Sequence, residues 1–240
     1  MRLLILGGTS EANALARALA GRDVITSLAG RTGTVPDLPG RVRVGGFGGA
    51  GGLEAYLRTE AIGAVIDATH PFAARISAHA AAACAATGVP RLVLARPAWE
   101  KRPGDSWIEV DGMAEAARAL PAIGRRAFLT VGVQEAVAFA GVTDVHFVVR
   151  LIAPEPPPLA GCEVVAGRGP FAEADEAALL LAHRIDVVVS KASGGAATYA
   201  KIAAARGLGI PVLMIRRPPP PPGPAVESVA EAVAWVAGLE

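Results

Sequence analysis

Arg2-Leu3-Leu4-Ile5-Leu6-Gly7-Gly8-Thr9-Ser10-Glu11 is the stretch whose reading decides the fold. A short apolar run ends in two glycines, and from Ser10 apolar residues recur at helical spacing through residue 20. That is strand, tight turn, helix. Glycines let the backbone fold sharply and approach a ligand, while free amides and the positive end of the helix dipole favour phosphate oxygens. Gly7, Gly8, Thr9, Ser10 and Glu11 are therefore candidate cofactor-binding residues. The turn departs from the usual dinucleotide fingerprint, because Thr9 and Ala12 stand where the second and third glycines would fall. The competing reading is a ligand-free βα turn with Ser10 as the helix cap.

The same alternation continues outward. Strands are expected at 24–28, 42–44, 64–68 and 91–94, with helices at 52–59 and 72–87. Each strand is fed by a crossover, so a parallel sheet covered on both faces follows. Residues 96–105 break the pattern with Pro97, Pro103 and Gly104 among charges, as an interdomain linker does. The second lobe repeats the logic, with strands at 127–131, 146–149, 163–166, 186–190 and 211–215, helices at 134–139, 172–183 and 196–206, and a last helix at 228–236. The proline-rich stretches 154–158 and 218–222 read as surface loops. The expected architecture is α/β, with two Rossmann-like three-layer lobes, residues 1–100 and 101–240, and a ligand cleft between them.

Composition narrows the function. With 240 residues the chain is long enough for one large α/β domain or two small ones. Its 23 Lys and Arg against 22 Asp and Glu leave a net charge of +1, so no global field recruits nucleic acid, and an anionic ligand has to be met locally. The uncharged stretch between Arg75 and Arg91 is too short to span a bilayer, and Met1-Arg2 enters the first strand with no secretory cleavage site, so neither membrane insertion nor export is expected. Cys84 and Cys162 stand far apart without partner ligands, which suggests no disulfide framework and fits a reducing cytoplasm. His70, His79, His146 and His183 show no metal-ligand spacing, so no bound metal is expected. Neither a Gly-x-Ser-x-Gly elbow nor a P-loop lysine is present, which leaves chemistry borrowed from a diffusible cofactor.

The other strand ends carry the remaining candidates. An acidic residue at the end of the second strand normally accepts the ribose hydroxyls of NAD. Here Ser27-Leu28-Ala29-Gly30-Arg31-Thr32 offers hydroxyls and a guanidinium, which suit the 2′-phosphate of NADPH. The alternative is that Arg31 is a solvated loop arginine. In Asp67-Ala68-Thr69-His70-Pro71-Phe72-Ala73, Pro71 suits the first turn of the next helix, Asp67 has to be hydrogen-bonded or at the rim, and His70 exchanges protons near neutral pH. Asp67, Thr69 and His70 are candidate site residues, unless Asp67 and Thr69 only cap the helix. In the second lobe, Thr130-Val131-Gly132-Val133-Gln134-Glu135 and Ser190-Lys191-Ala192-Ser193-Gly194-Gly195 are two further strand-to-helix turns. Lys191, with Ser193 and Gly194, would hold a carboxylate or phosphate, or else is an ordinary exposed lysine. Arg96, Arg216 and Arg217 either meet further carboxylates or face water.

The motifs 6–11, 27–32, 67–73 and 190–195, in this order at strand ends, closely resemble the precorrin-6A reductase family. Thr198-Tyr199-Ala200-Lys201-Ile202 and Ile210-Pro211-Val212 are similar too, whereas Ala192 departs from an expected asparagine. The resemblance spans nearly the whole chain. It implies reduction of one carbon–carbon double bond of precorrin-6A, on the route to cobalamin, with hydride from NADPH. It implies that Gly8, Thr9 and Glu11 hold the nucleotide near its pyrophosphate and nicotinamide, that Arg31 and Thr32 take the adenosine phosphate end, and that His70 is catalytic. The partner implied is a small-molecule tetrapyrrole, with no nucleic acid or membrane and with a monomer as the default state. A cobalt-containing substrate and a non-catalytic NADPH sensor are the alternatives.

Overall fold

Alternating apolar strands and amphipathic helices leave each strand needing cover on both faces, and the computed structural model meets that need twice. It describes residues 1–30, 35–152, 157 and 159–239. Two compact units emerge, Met1–Pro97 with Pro218–Glu240, and Ala98–Arg217.

In the first unit the chain runs β1 (Arg2–Leu6), α1 (Ser10–Ala18), β2 (Asp23–Leu28), β3 (Arg41–Val44), α2 (Ala50–Thr59), β4 (Ile62–Asp67), α3 (Ala74–Thr87) and β5 (Arg91–Leu94). In the second it runs β6 (Trp107–Val110), α4 (Met113–Ala119), β7 (Arg126–Leu129), α5 (Val133–Ala136), β8 (His146–Leu151), β9 (Glu163–Ala166), α6 (Glu173–Ala182), β10 (Val187–Lys191), α7 (Ala200–Gly207) and β11 (Val212–Ile215). It then returns to the first unit with β12 (Ala225–Val226) and α8 (Val229–Ala237).

The described strands form two parallel six-stranded sheets, ordered β12-β5-β4-β1-β2-β3 and β6-β11-β10-β7-β8-β9. Sheet order reverses between β1 and β4 in one and between β7 and β10 in the other, and the carboxyl side of such a reversal is where open α/β sheets bind ligands. Pleating sends Leu3 and Ile5 to one face of the first sheet, against Leu15 of α1 and Val236 of α8, and Leu4 and Leu6 to the other, against Leu53 and Leu57 of α2 and Ala80 of α3. In the second sheet Phe128, Val148, Val188 and Met214 pack with Leu180 of α6 and Ile202 of α7.

The two parallel three-layer units match the expected fold class, with one correction to the boundary. The second lobe does not extend to residue 240, because β12 extends the first sheet, with Val93 N donating to Pro224 O at 3.0 Å and Ala95 N to Val226 O at 2.8 Å. Arg91, only 9% exposed, anchors the returning chain by donating to Pro222 O at 2.7 Å. The second unit also opens with the edge strand β6 and helix α4, two elements not expected between the linker and the strand at residue 127. The expected loop at 154–158 falls largely outside the described residues.

Val236 is fully buried in the core formed with α1. Val236→Ala is expected to cost roughly 1–3 kcal/mol. Native-state hydrogen exchange should show protection lost in α1 and β1, with β10 and β11 unaffected. Loss confined to β10 and β11 would put α8 back on the second unit.

Candidate functional site

Thr9 organises the carboxyl edge of the first sheet. Its hydroxyl donates to Ala68 O at 2.7 Å and accepts from Ala12 N at 3.1 Å. One buried side chain thus caps α1 and ties the β1–α1 turn to the end of β4, so the cap is Thr9 and not Ser10. Gly8 takes φ 107°, a conformation that side chains resist. A Cβ on Gly7 would meet Thr26 Cγ2 at 3.2 Å, Leu28 Cδ2 at 3.3 Å and Ala12 Cβ at 3.4 Å, so the turn packs close against β2 and the helix. Ala12 N is taken by the cap, while the amides of Thr9 and Ser10 ahead of it have no intrahelical acceptor. This is an anion-binding geometry.

Glu11 sits in the first turn of α1, and Arg96 grips it with both prongs. Nε donates to Oε1 at 2.8 Å and Nη2 to Oε2 at 2.6 Å, while Ser10 Oγ donates to Oε2 at 3.0 Å. Burial pushes the Glu11 carboxyl up, but the Arg96 guanidinium, Glu11's own amide and Ser10 outweigh it and hold the group below the usual carboxylate range. Arg96 is an ion-pair partner here, a role that sequence alone left open.

The end of β4 lies beside this turn, with Leu6 in register with Asp67. Asp67 is 2% exposed, and its Oδ1 accepts from Thr69 N at 3.2 Å and Thr69 Oγ1 at 2.7 Å. Oδ2 has no partner among the described residues. The capping alternative fails, because α3 starts at Ala74, later than expected, and its cap residue Ala73 makes no side-chain cap bond. Pro71 lies in the turn before that helix, not in its first turn. His70 is half-buried and accepts from Phe72 N through Nδ1 at 3.2 Å, so the neutral ring carries its proton on Nε2.

At the end of β2, Ser27 is buried and accepts a bond from Arg43 Nη1 at 2.9 Å. Arg43, which sequence reading passed over, also donates to Gly45 O at 2.8 Å and Gly46 O at 3.0 Å and covers the Phe47 ring at 3.9 Å. Arg31 and Thr32 lie outside the described residues.

The second unit has its own edge site. Lys191, at the end of β10, donates to Glu135 Oε1 at 2.9 Å and Oε2 at 2.7 Å, while Gly132 N donates to Oε2 at 2.8 Å. It is neither an ordinary exposed lysine nor a seat open only to ligand, since an internal carboxylate already meets its charge. Ser193 is buried and Gly194 takes φ 71° in the following turn, whose Ala192 and Ser193 carbonyls accept from Arg217 at 3.3 and 3.1 Å. Arg216 pairs with Asp111. Sequence also gave no sign of a buried polar cluster at this edge. Arg150 Nη1 donates to Glu176 Oε1 at 2.6 Å, and Lys201 Nζ donates to Thr198 O at 2.8 Å and lies 5.2 Å from the centre of the Trp99 ring. At the opposite, amino edge, Glu163 bridges His146 Nε2 at 2.6 Å and His183 Nδ1 at 2.8 Å. Among the described residues no group of three or more His, Cys, Asp and Glu side chains is placed to hold a metal ion.

Comparison with known proteins follows these motifs along the whole chain. The family model described as Precorrin-6x reductase CbiJ/CobK matches residues 2–237. A precorrin-6A reductase of Rhodococcus erythropolis is 52% identical, over 99% of this chain and 98% of its own. A cobalt-precorrin-6A reductase of Salmonella typhimurium is 31% identical, over 91% of this chain and 88% of its own. A solved structure of CobK precorrin-6A reductase aligns with a TM-score of 0.93 at 43% identity, covering 100% of this chain and 97% of that one.

Burial pushes the Lys201 amine down from its ordinary 10.5 to about 7, with Glu176 opposing the shift and Arg150 and Lys191 adding to it. Below pH 7 or so the lysine is charged in both states, and the fold bears the desolvation cost. Between about 7 and 10.5 the unfolded chain binds more protons, so stability rises with pH through that window. Lys201→Met is expected to remove most of this rise, with its largest gain over the wild type at the acid end. Urea midpoints measured across pH check it, and an unchanged profile would mean that Lys201 titrates as a solvated lysine.

Proposed function

The chain belongs to the precorrin-6x reductase family, and from that premise we propose that it reduces one macrocycle double bond of precorrin-6A, giving precorrin-6B, at the expense of NADPH. The observation that carries this reading is the Thr9-clamped turn at the β1/β4 reversal, with Gly8 at φ 107° and first-turn amides lacking intrahelical acceptors. NADPH, when bound, supplies the hydride.

The protein's own residues then have defined tasks. Gly7, Gly8, Thr9 and Ser10 shape the amide cradle for the pyrophosphate, with Glu11 at its rim. The end of β2 offers Ser27 and no acid, and Arg43 adds a guanidinium at that edge, which supports NADPH over NADH. Arg31 and Thr32 take the 2′-phosphate. Asp67 and Thr69 fix the end of β4 beside the cradle, and His70 lines the reaction site, where in its protonated form it would deliver the proton to the carbon next to the one that receives hydride. In the second unit, Lys191, Ser193 and Gly194 form an anion-handling turn suited to phosphate or to substrate carboxylates. Orientation of the reacting carbons is the main catalytic device.

The identity of 52% to a precorrin-6A reductase, against 31% to a cobalt-precorrin-6A reductase, supports the cobalt-free macrocycle as substrate. The cytoplasm is the proposed location and a monomer the proposed state, with neither nucleic acid nor membrane as partner. No helix among the described residues is long and apolar enough to cross a membrane, and burial pushes the Cys84 thiol up to about 11, which keeps it unreactive.

Mixing the protein with precorrin-6A should oxidise NADPH stoichiometrically, followed by absorbance, whereas a sensor would bind NADPH and oxidise none. Arg31→Ala is expected to raise KM for NADPH roughly 10–100-fold, the loss of one charge-assisted contact, while leaving NADH kinetics unchanged. His70→Ala is expected to lower turnover of bound substrate about a hundredfold without weakening NADPH binding. Unchanged turnover would remove His70 from proton delivery.

A further inference from the structure

Two anions compete for the start of α1. The first-turn amides and the positive dipole end suit a pyrophosphate, yet the same turn carries the Glu11 carboxylate, which takes a bond from its own amide and is 28% exposed. A charged carboxylate a few ångströms from a phosphate, partly shielded from water, repels it. Bonding to Arg96 and Ser10 keeps that carboxylate ionised, so protonation does not relieve the conflict.

Arg96 is built to relieve it. The residue lies just beyond β5, 85 positions from Glu11 in sequence, and is only 11% exposed. Its fork matches both carboxylate oxygens at 2.8 and 2.6 Å, a paired geometry that neutralises the charge and also fixes the direction of the side chain. A lysine would supply the charge without the fork. We infer that Arg96 is a positioning residue for the cofactor, cancelling the Glu11 charge and holding that carboxylate at the rim so that the β1–α1 cradle accepts a pyrophosphate. The inference rests on the NADPH reading of this site.

Calorimetry with NADPH, together with steady-state kinetics, tests it on wild type, Arg96→Ala, Arg96→Lys, Glu11→Gln and the Glu11→Gln/Arg96→Ala double variant. Arg96→Ala should weaken NADPH about tenfold or more, raising KM with little change in kcat. Arg96→Lys should recover part of the loss. In the Glu11→Gln background the same Arg96→Ala change should cost no more than about threefold, because no carboxylate remains to be neutralised. An equal loss in both backgrounds would overturn the inference, since Arg96 would then act on the nucleotide itself or only on the fold. If Arg96→Ala does not fold, Arg96→Gln in the two backgrounds gives the same comparison. A folded wild type that takes up no NADPH would sink the NADPH reading and this role with it, whereas a wild type that binds while the cycle is additive sinks the role of Arg96 alone.

Discussion

The first unit depends on one hydroxyl. Thr9 Oγ1 gives its proton to the Ala68 carbonyl and takes one from the Ala12 amide, so the start of α1 and the end of β4 are held by the same atom. The two strands flanking the reversal of sheet order are thereby locked at the edge where ligand chemistry is possible. Gly7 and Gly8 make that lock geometrically feasible, the first by packing closely against Thr26 and Leu28, the second by its backbone angle. The fold and the site are here the same constraint.

Charge is treated alike at the carboxyl edges of the two sheets. Each places a carboxylate in the first turn of the helix that follows the central strand, Glu11 after β1 and Glu135 after β7, and each supplies a cation from another strand end of the same sheet, Arg96 just beyond β5 or Lys191 on β10. The helix starts stay electropositive because the acids they carry are already matched. Arg96 and Lys191 differ in what they can exchange, since a forked pair is tied to one geometry and a lysine pivots around a point charge.

Much of the architecture was legible because its signals are local. Apolar runs ending at Gly7-Gly8, at Asp67 and at Lys191 mark strands that turn into helices, and the structure puts all three at carboxyl edges beside the reversals. What escaped was non-local. The two-residue strand β12 has no periodicity of its own and follows a proline run, so only its pairing with β5 and the Arg91 bond to Pro222 reveal which unit it completes. Sequence pointed to Ser10 as the cap of α1, whereas Thr9 takes that role and is held in place by a bond to Ala68, 59 positions away. The ion pair of Glu11 with Arg96 and the fixing of Lys191 by Glu135 likewise join residues that no spacing rule connects. Arg31 and Thr32, which sequence assigned to the 2′-phosphate, lie outside the described residues, and Arg43 marks the same edge instead.

The central claim is that the Thr9-clamped turn seats a dinucleotide. A crystal structure with NADP⁺ bound tests it most directly. The account predicts pyrophosphate oxygens within hydrogen-bonding distance of the amides between Gly8 and Glu11, with the adenosine end directed toward Ser27 and Arg43. A nucleotide seated instead on the Gly132 turn of the second unit, or at the amino edge beside Glu163, would contradict it.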